Sequence, residues 1–458
     1  MNRDIFRAYD IRGIADTDLI DPVVRNIGQA FASMVIAQGH DAPRIAVGRD
    51  ARRSSDRIFE AIEEGVHRAG AQVINLGVVP TPLTYFSIVE CDYDAAIQIT
   101  GSHNPGEYNG FKMMIEKHTL HGDEIQELRR RIEDHDFVEE DADLGTVAVA
   151  DLRKRYIEWI RDNLKMGDRK LKIAIDSGNG VAGLVAPELL RDAVGCRVHE
   201  IYSEPDGTFP NHHPDPTVEE NLQDLIAVVR DEGCDFGVAY DGDGDRLGVV
   251  DEEGSIIWGD QLMIIFARQV LADHPGATII GEVKCSQTLF DDIAAHGGHP
   301  IMARVGHSLI KAKIHETDAH LAGEMSGHIF FNDRFFGFDD ALYATCRLAE
   351  IVSRTPQPFS ALLADVPETF TTPEIRQPCD ESLKFDIPKR VAEVFADDYE
   401  VNTIDGARVQ FNEGWGLVRA SNTQPVIVMR VEARSPEARD RYLKQLKSAI
   451  ERASDTLR

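Results

Sequence analysis

The sequence predicts an α/β protein of several domains with buried, largely parallel sheets. Three observations predict it. The chain has 458 residues, more than one hydrophobic core holds, so about three or four domains are expected. An apolar, β-branched run that ends in a polar, glycine-rich turn and leads into a helical pattern recurs along the chain. The strand-carrying segments near residues 45, 173 and 278 recur at roughly domain-sized intervals, as related modules would.

Residues 44–50, 172–180, 236–241 and 278–284 each carry such a run and its turn, and 95–99 is a further strand-like run. The acidic stretch 139–143 reads as an exposed connection, and 151–165 as a helix leading into the second module. Asp251-Glu252-Glu253-Gly254 reads as a turn before the third. Pro356, Pro358 and Pro367 precede a last segment with its own turn chemistry, read as α+β. The expected domains are therefore 1–150, 151–252, 253–366 and 367–458. Ligands of open parallel sheets bind beyond the carboxyl ends of the strands, where these polar turns sit.

Apolar content is 43%, ordinary for a globular protein, and no stretch reaches the ~18 apolar residues of a membrane span. The opening residues 1–6 lack an apolar signal core, so a cytoplasmic protein is expected. The six cysteines lie far apart with no paired spacing, which argues against a disulfide framework or a zinc site. A net charge of −29 repels nucleic acid and anionic membrane; it also repels anionic substrates, so a phosphate site must concentrate local positive charge.

Asp241-Gly242-Asp243-Gly244-Asp245-Arg246 is the sharpest motif. Carboxylates alternating in a glycine-rich turn can converge on one hard cation, which removes their mutual repulsion. Glu252 stands where a calcium loop of the EF-hand type has its twelfth residue. Arg246, however, occupies the position where that loop requires glycine, and the flanks read as strands. An acidic turn in water, holding no ion, is the other reading.

Thr100-Gly101-Ser102-His103-Asn104-Pro105 follows a strand-like run and presents an approachable serine, suited to a nucleophile or phosphoryl carrier, with His103 beside it. Alone it is also an ordinary Ser/Asn/Pro turn. No Gly-x-Ser-x-Gly elbow is present, which disfavours an α/β-hydrolase. In Gly323-Glu324-Met325-Ser326-Gly327-His328, the Glu, Ser and His at alternate positions would project to one side of an extended segment, as a row able to meet sugar hydroxyls. In 419–425, Arg419, Ser421, Asn422 and Thr423 make either a phosphate cradle or a capped turn. Residues 178–183 match Gly-x-Gly-x-x-Gly with Glu200 about 20 residues on, which keeps an NAD-dependent dehydrogenase as an alternative; Asp176 and Ser177 intrude between strand and glycine.

Together and in this order, the motifs resemble the α-D-phosphohexomutase family over nearly the whole chain, from residues 8–13 to the Arg419 turn. Within it, residues 283–286, 305–311 and 323–331 look like the bacterial branch acting on both mannose and glucose phosphates. The resemblance implies three related mixed α/β sandwich domains plus a smaller, mobile α+β C-terminal domain around a central cleft. It implies a phosphoserine at Ser102, Mg²⁺ held by Asp241, Asp243 and Asp245 with a phosphoserine oxygen, and sugar contacts from Glu324 and Ser326. His328 and Lys112 would be candidate proton carriers. Arg419, Ser421, Asn422 and Thr423 would grip the non-reacting phosphate, and Tyr9, Arg12, His103, Lys112, Arg246, Lys284 and His307 would line the cleft.

The turn has Gly101 where many relatives have alanine, a change between two small residues. The implied activity interconverts hexose 6-phosphate and hexose 1-phosphate through a 1,6-bisphosphate, with glucose 1,6-bisphosphate as activator. Hexose phosphates would be the only partners, with no nucleic acid or membrane, and the chain would be a monomer or small homo-oligomer. A phosphatase that hydrolyses the phosphoserine and a non-catalytic sugar-phosphate-binding protein are the other readings.

Overall fold

The computed structural model of the chain describes residues 1–140, 147–421 and 425–457. Asn422, Thr423 and part of the acidic connection at 139–143 lie outside them. The first sheet has seven strands, in the order Ile11–Ile14, Tyr108–Ile115, Ala95–Ile99, Arg44–Arg49, Gln72–Val78 and Ala148–Val149, with His118–Thr119 paired to Tyr108–Ile115. Its centre is parallel; Tyr108–Ile115 runs antiparallel to both of its neighbours on this path.

The second sheet places Phe236–Tyr240 and Arg197–Ile201 parallel on either side of Lys172–Asp176, then adds Leu247–Asp251 and Ile256–Ile257 antiparallel. In the third, Thr278–Glu282 pairs in parallel with His299–Ala303 and Leu321–Gly323, and Ile329–Phe331 returns antiparallel. The parallel centres explain the unbroken apolar runs: Ala95–Ile99 and Phe236–Tyr240 are buried at every residue because helices cover both sheet faces. The fourth sheet is antiparallel and carries the helices Asp386–Phe395 and Pro436–Leu457, an α+β unit.

One hydrophobic core runs through the first three sheets. Phe86 from the helix Thr81–Cys91 meets Tyr156 edge-on at 5.3 Å, and Tyr343 from the helix Ala341–Arg354 stacks on Phe335 at 4.0 Å. The fourth unit has its own core around Val391, Phe411, Met429 and Leu446. It meets the third through a small cluster of Val283, Trp415 and Leu417, and through Arg408, which donates to the carbonyls of Val283 and Cys285. Among the described residues, no helix is long and apolar enough to cross a membrane.

Asp340 sits where the helix Ala341–Arg354 meets the helix Arg153–Asn163. It accepts from the Tyr156 hydroxyl at 2.7 Å and caps its own helix through Tyr343 N at 2.8 Å. Burial pushes its carboxyl up to about 7. A carboxyl raised on folding contributes stability that is present below the ordinary carboxylate range and lost as pH rises toward 7. Asp340→Asn stays neutral throughout, so its stability relative to wild type should rise between pH 5 and pH 8 by on the order of a few kcal/mol. Paired thermal melts across that range check this; a difference constant in pH contradicts it.

Candidate functional site

The turn after Ala95–Ile99 and the turn between Phe236–Tyr240 and Leu247–Asp251 come face to face. Ser102 Oγ donates to Asp241 Oδ2 at 2.8 Å across 139 residues of chain. Ser102 is buried and holds a left-handed backbone at φ 50°, a strained conformation for a residue with a side chain. His103 Nδ1 lies 3.2 Å from the same oxygen. Burial, with Arg246 and Arg12 nearby, holds His103 well below the usual histidine range, so its ring is neutral.

The three aspartates are fully buried. Asp241 Oδ1 accepts from the N–H groups of Asp245 and Arg246, each at 3.1 Å, which curls the loop. Lys112 Nζ, on Tyr108–Ile115, donates to Asp243 Oδ2 at 2.6 Å and also to Asp245. Burial by itself would lower this ammonium; Asp243, Asp245 and Asp241 overcome that and raise it. Asp241 is pushed well up by burial and by its two fellow carboxylates. The outer oxygens of Asp243 and Asp245, both Oδ1, are buried without a hydrogen-bond partner, and ligand atoms of the three carboxylates lie within 4.8 Å of one another. Oxygen donors with unmet bonding capacity at this spacing fit a hard divalent cation. The flanks are strands, and Glu252 is occupied by Ser360 (N 3.1 Å, Oγ 2.6 Å), so the calcium-loop reading fails.

The row expected from Glu324, Ser326 and His328 is not extended. Leu321–Gly323 and Ile329–Phe331 form a hairpin, and Gly327 N closes the turn on Glu324 O at 3.0 Å, with Gly327 at φ 92°. A left-handed residue breaks period-two alternation. Glu324 and Ser326 still meet, Ser326 Oγ donating to Glu324 Oε2 at 3.2 Å. His328 stacks on His307, the residue after Gly306, whose N–H Glu324 Oε1 accepts at 2.6 Å. His328 Nε2 accepts from Arg246 Nε at 3.0 Å, which places the ring proton on Nδ1, 3.0 Å from Asp339 Oδ2. Asp339 also receives Lys311 Nζ at 2.9 Å, and His307 Nδ1 lies 3.7 Å away.

Arg12 Nη1 donates to Gly101 O at 2.8 Å and to Asn104 Oδ1 at 2.7 Å. Lys284 Nζ lies 4.0 Å from Glu282 and 3.6 Å from Glu374. Arg419, at the end of Gly414–Ala420, donates to Asp405 Oδ2 at 3.2 Å, and the same oxygen accepts from Val305 N at 3.1 Å, tying the fourth unit to the third. Burial would lower the Arg419 guanidinium, but Asp405 and the Tyr9 hydroxyl outweigh it. Tyr9 packs beneath Gly306, next to His307.

The glycine turn at 178–183 backs the aspartate loop: Val181 N donates to Gly242 O at 3.1 Å, and the α-helix that follows is only Ala186–Leu189. Glu200 pairs with Arg191, so the dinucleotide fingerprint is not realised. Gly101 is not a neutral small-for-small position either, because a Cβ there would fall 2.3 Å from Arg52 Cζ.

Sequence reasoning missed Thr81, Asp339 and Lys311. Thr81 opens the helix Thr81–Cys91 and gives its N–H to Asp243 O at 2.9 Å and its hydroxyl to the Asp243 carboxylate. Nothing in the local sequence separates it or Asp339 from an ordinary helix-start residue.

Four consecutive family models match the chain: phosphoglucomutase/phosphomannomutase alpha/beta/alpha domains I, II and III at residues 3–139, 154–254 and 258–370, and the C-terminal domain at 374–449. A phosphomannomutase/phosphoglucomutase of Pseudomonas aeruginosa is 44% identical over 99% of this chain and 96% of its own length. A phosphoglucomutase of Neisseria meningitidis serogroup A is 45% identical over 98% and 97%. The crystal structure of a phosphoglucomutase/phosphomannomutase family protein from Burkholderia thailandensis superposes with a TM-score of 0.91 at 44% identity, covering 99% of this chain and 98% of that one.

Proposed function

The chain belongs to the phosphoglucomutase/phosphomannomutase family, and from that premise we propose that it interconverts the 6- and 1-phosphates of mannose and glucose through phosphorylated Ser102 and a hexose 1,6-bisphosphate. The carrying observation is the Ser102–Asp241 contact, which seats a phosphoryl-accepting hydroxyl on a carboxylate cluster. We take the domains as 1–150, 151–252, 253–366 and 367–458, one motif on each, and the cytoplasm as the place of action.

Asp241, Asp243 and Asp245, with an oxygen on Ser102, would hold Mg²⁺, which neutralises charge on the transferring group. Arg12, Lys112 and Arg246 add positive charge on the chain's own side, despite the acidic surface. Lys112, held as an ammonium by its aspartates, supplies fixed positive charge and is a poor proton carrier, whereas neutral His103 is free to accept beside Ser102; His328 is kept in one tautomer between Arg246 and Asp339. Glu324 and Ser326 present an acceptor and a hydroxyl to the sugar. Arg419 and Ser421, with Asn422 and Thr423, would take the phosphate that is not reacting. The bisphosphate must then exchange its ends, which a fourth domain with a separate core and a narrow attachment permits.

The test is turnover of mannose 1-phosphate and glucose 1-phosphate primed with glucose 1,6-bisphosphate. Isomerised product supports the proposal. Free phosphate without isomer indicates a phosphatase, and no conversion indicates a binding protein. Arg419→Ala should raise KM for both substrates about tenfold or more while kcat changes less, since it removes an anion grip remote from the reacting bond. An unchanged KM removes Arg419 from that role.

A further inference from the structure

Arg52 lies outside every motif that marked the site, yet its side chain is wholly buried against the Ser102 turn. Nη2 donates to Ser102 O at 2.7 Å and Asn104 O at 2.6 Å; Nη1 donates to Pro105 O at 2.5 Å and Tyr108 O at 3.0 Å; Nε donates to Asp50 Oδ2 at 3.0 Å. Asp50 grips the strand side of the same turn, accepting from Thr100 Oγ1 at 2.9 Å and Gly101 N at 3.1 Å. One guanidinium therefore satisfies four carbonyls of a turn whose serine is backbone-strained, and such strain persists only where the surroundings over-determine it.

The other face of Arg52 meets a different domain. Its Cζ lies 5.3 Å from the ring centre of Phe209, itself left-handed at φ 49°. A few residues on, Pro214 packs on Gly242 of the aspartate loop, and Asp215 acts on the Arg246 guanidinium. A strained aromatic residue in a loop that touches both Arg52 and the metal-binding turn has the placement of a clasp.

We propose that Arg52 is a positioning residue for phosphoryl transfer, clasped between the Ser102 turn and Phe209 so that the seryl oxygen keeps its place over the aspartate loop. It touches no reacting atom and acts through the backbone of 102–105. The inference rests on the mutase reading above. Misplacement of a reacting group by about 1 Å costs about 10²-fold in rate, which sets the scale expected.

The experiment uses the full chain with Mg²⁺, glucose 1-phosphate and glucose 1,6-bisphosphate. It reads kcat, KM and, by intact mass, the rate at which the bisphosphate phosphorylates Ser102. Arg52→Ala should lower kcat about 10²-fold, leave KM within about threefold, and slow phosphorylation to the same extent. Millimolar guanidinium should return about tenfold of the loss in that variant and none in Ser102→Ala. Phe209→Ala should fall about three- to tenfold. A folded Arg52→Ala with kcat and phosphorylation within about threefold of wild type overturns the inference, as does a loss that guanidinium leaves untouched. Should that variant not fold, Arg52→Lys and Phe209→Ala decide: reduced kcat at unchanged Tm and KM supports the role, and wild-type kcat in both overturns it. A wild type with no turnover at all means that the mutase reading has failed instead.

Discussion

Ser102→Ala should abolish the covalent route and lower kcat by at least about 10³-fold, with the fold intact. The side chain lost is small, and its contacts are Asp241 at 2.8 Å and His103 at 3.2 Å, so packing changes little. The turn itself is held by Arg12, Asp50 and Arg52, none of which bonds the hydroxyl. Stability should therefore stay near wild type. Intact mass should show the wild type gaining one phosphoryl group on incubation with glucose 1,6-bisphosphate and the variant gaining none. Near-normal turnover by the alanine variant would remove Ser102 from the proposed role.

Removing divalent cations should silence the enzyme reversibly, and Asp245→Asn should do so permanently, with turnover down by about 10²-fold or more even in excess Mg²⁺. The stability effect should run the opposite way. Burial, and then Asp243, raise the Asp245 carboxyl above the ordinary range. A raised carboxyl stabilises the fold only while protonated, so at pH 7–8 its ionisation opposes folding. Asparagine removes that burden, and the cation-free variant should melt no lower than the cation-free wild type. A ligand that binds only the folded state raises Tm, so Mg²⁺ should raise the wild-type Tm and leave the variant's unchanged. Equal Mg²⁺ responses in the two proteins would place the cation elsewhere.

The site was legible in the sequence to the extent that its chemistry is written in contiguous turns. The aspartate loop announces itself because alternating glycines and carboxylates have few other uses, and the Ser102 turn because it follows a strand run directly. The 323–328 motif was legible as chemistry but not as geometry. Alternation put three side chains in one row, whereas Gly327 at φ 92° closes a hairpin turn in which His328 meets Asp339 and Ser326 meets Glu324. Arg52, Thr81 and Asp339 were silent because each acts through partners 28 to 162 residues away that leave no local pattern: Arg52 on the carbonyls of 102–108, Thr81 on Asp243, and Asp339 on Lys311.

From the sequence alone came the α/β class, the modular order and the candidate groups for the proposed chemistry, because periodicity and turn residues are local properties. Only the tertiary structure decided which of those groups touch, how burial and neighbouring charges shift Asp241, Lys112 and His103, and which unmarked residues hold the seryl turn in place. Those outcomes depend on distances and dielectric surroundings, and both exist only once the separate sheets have packed together.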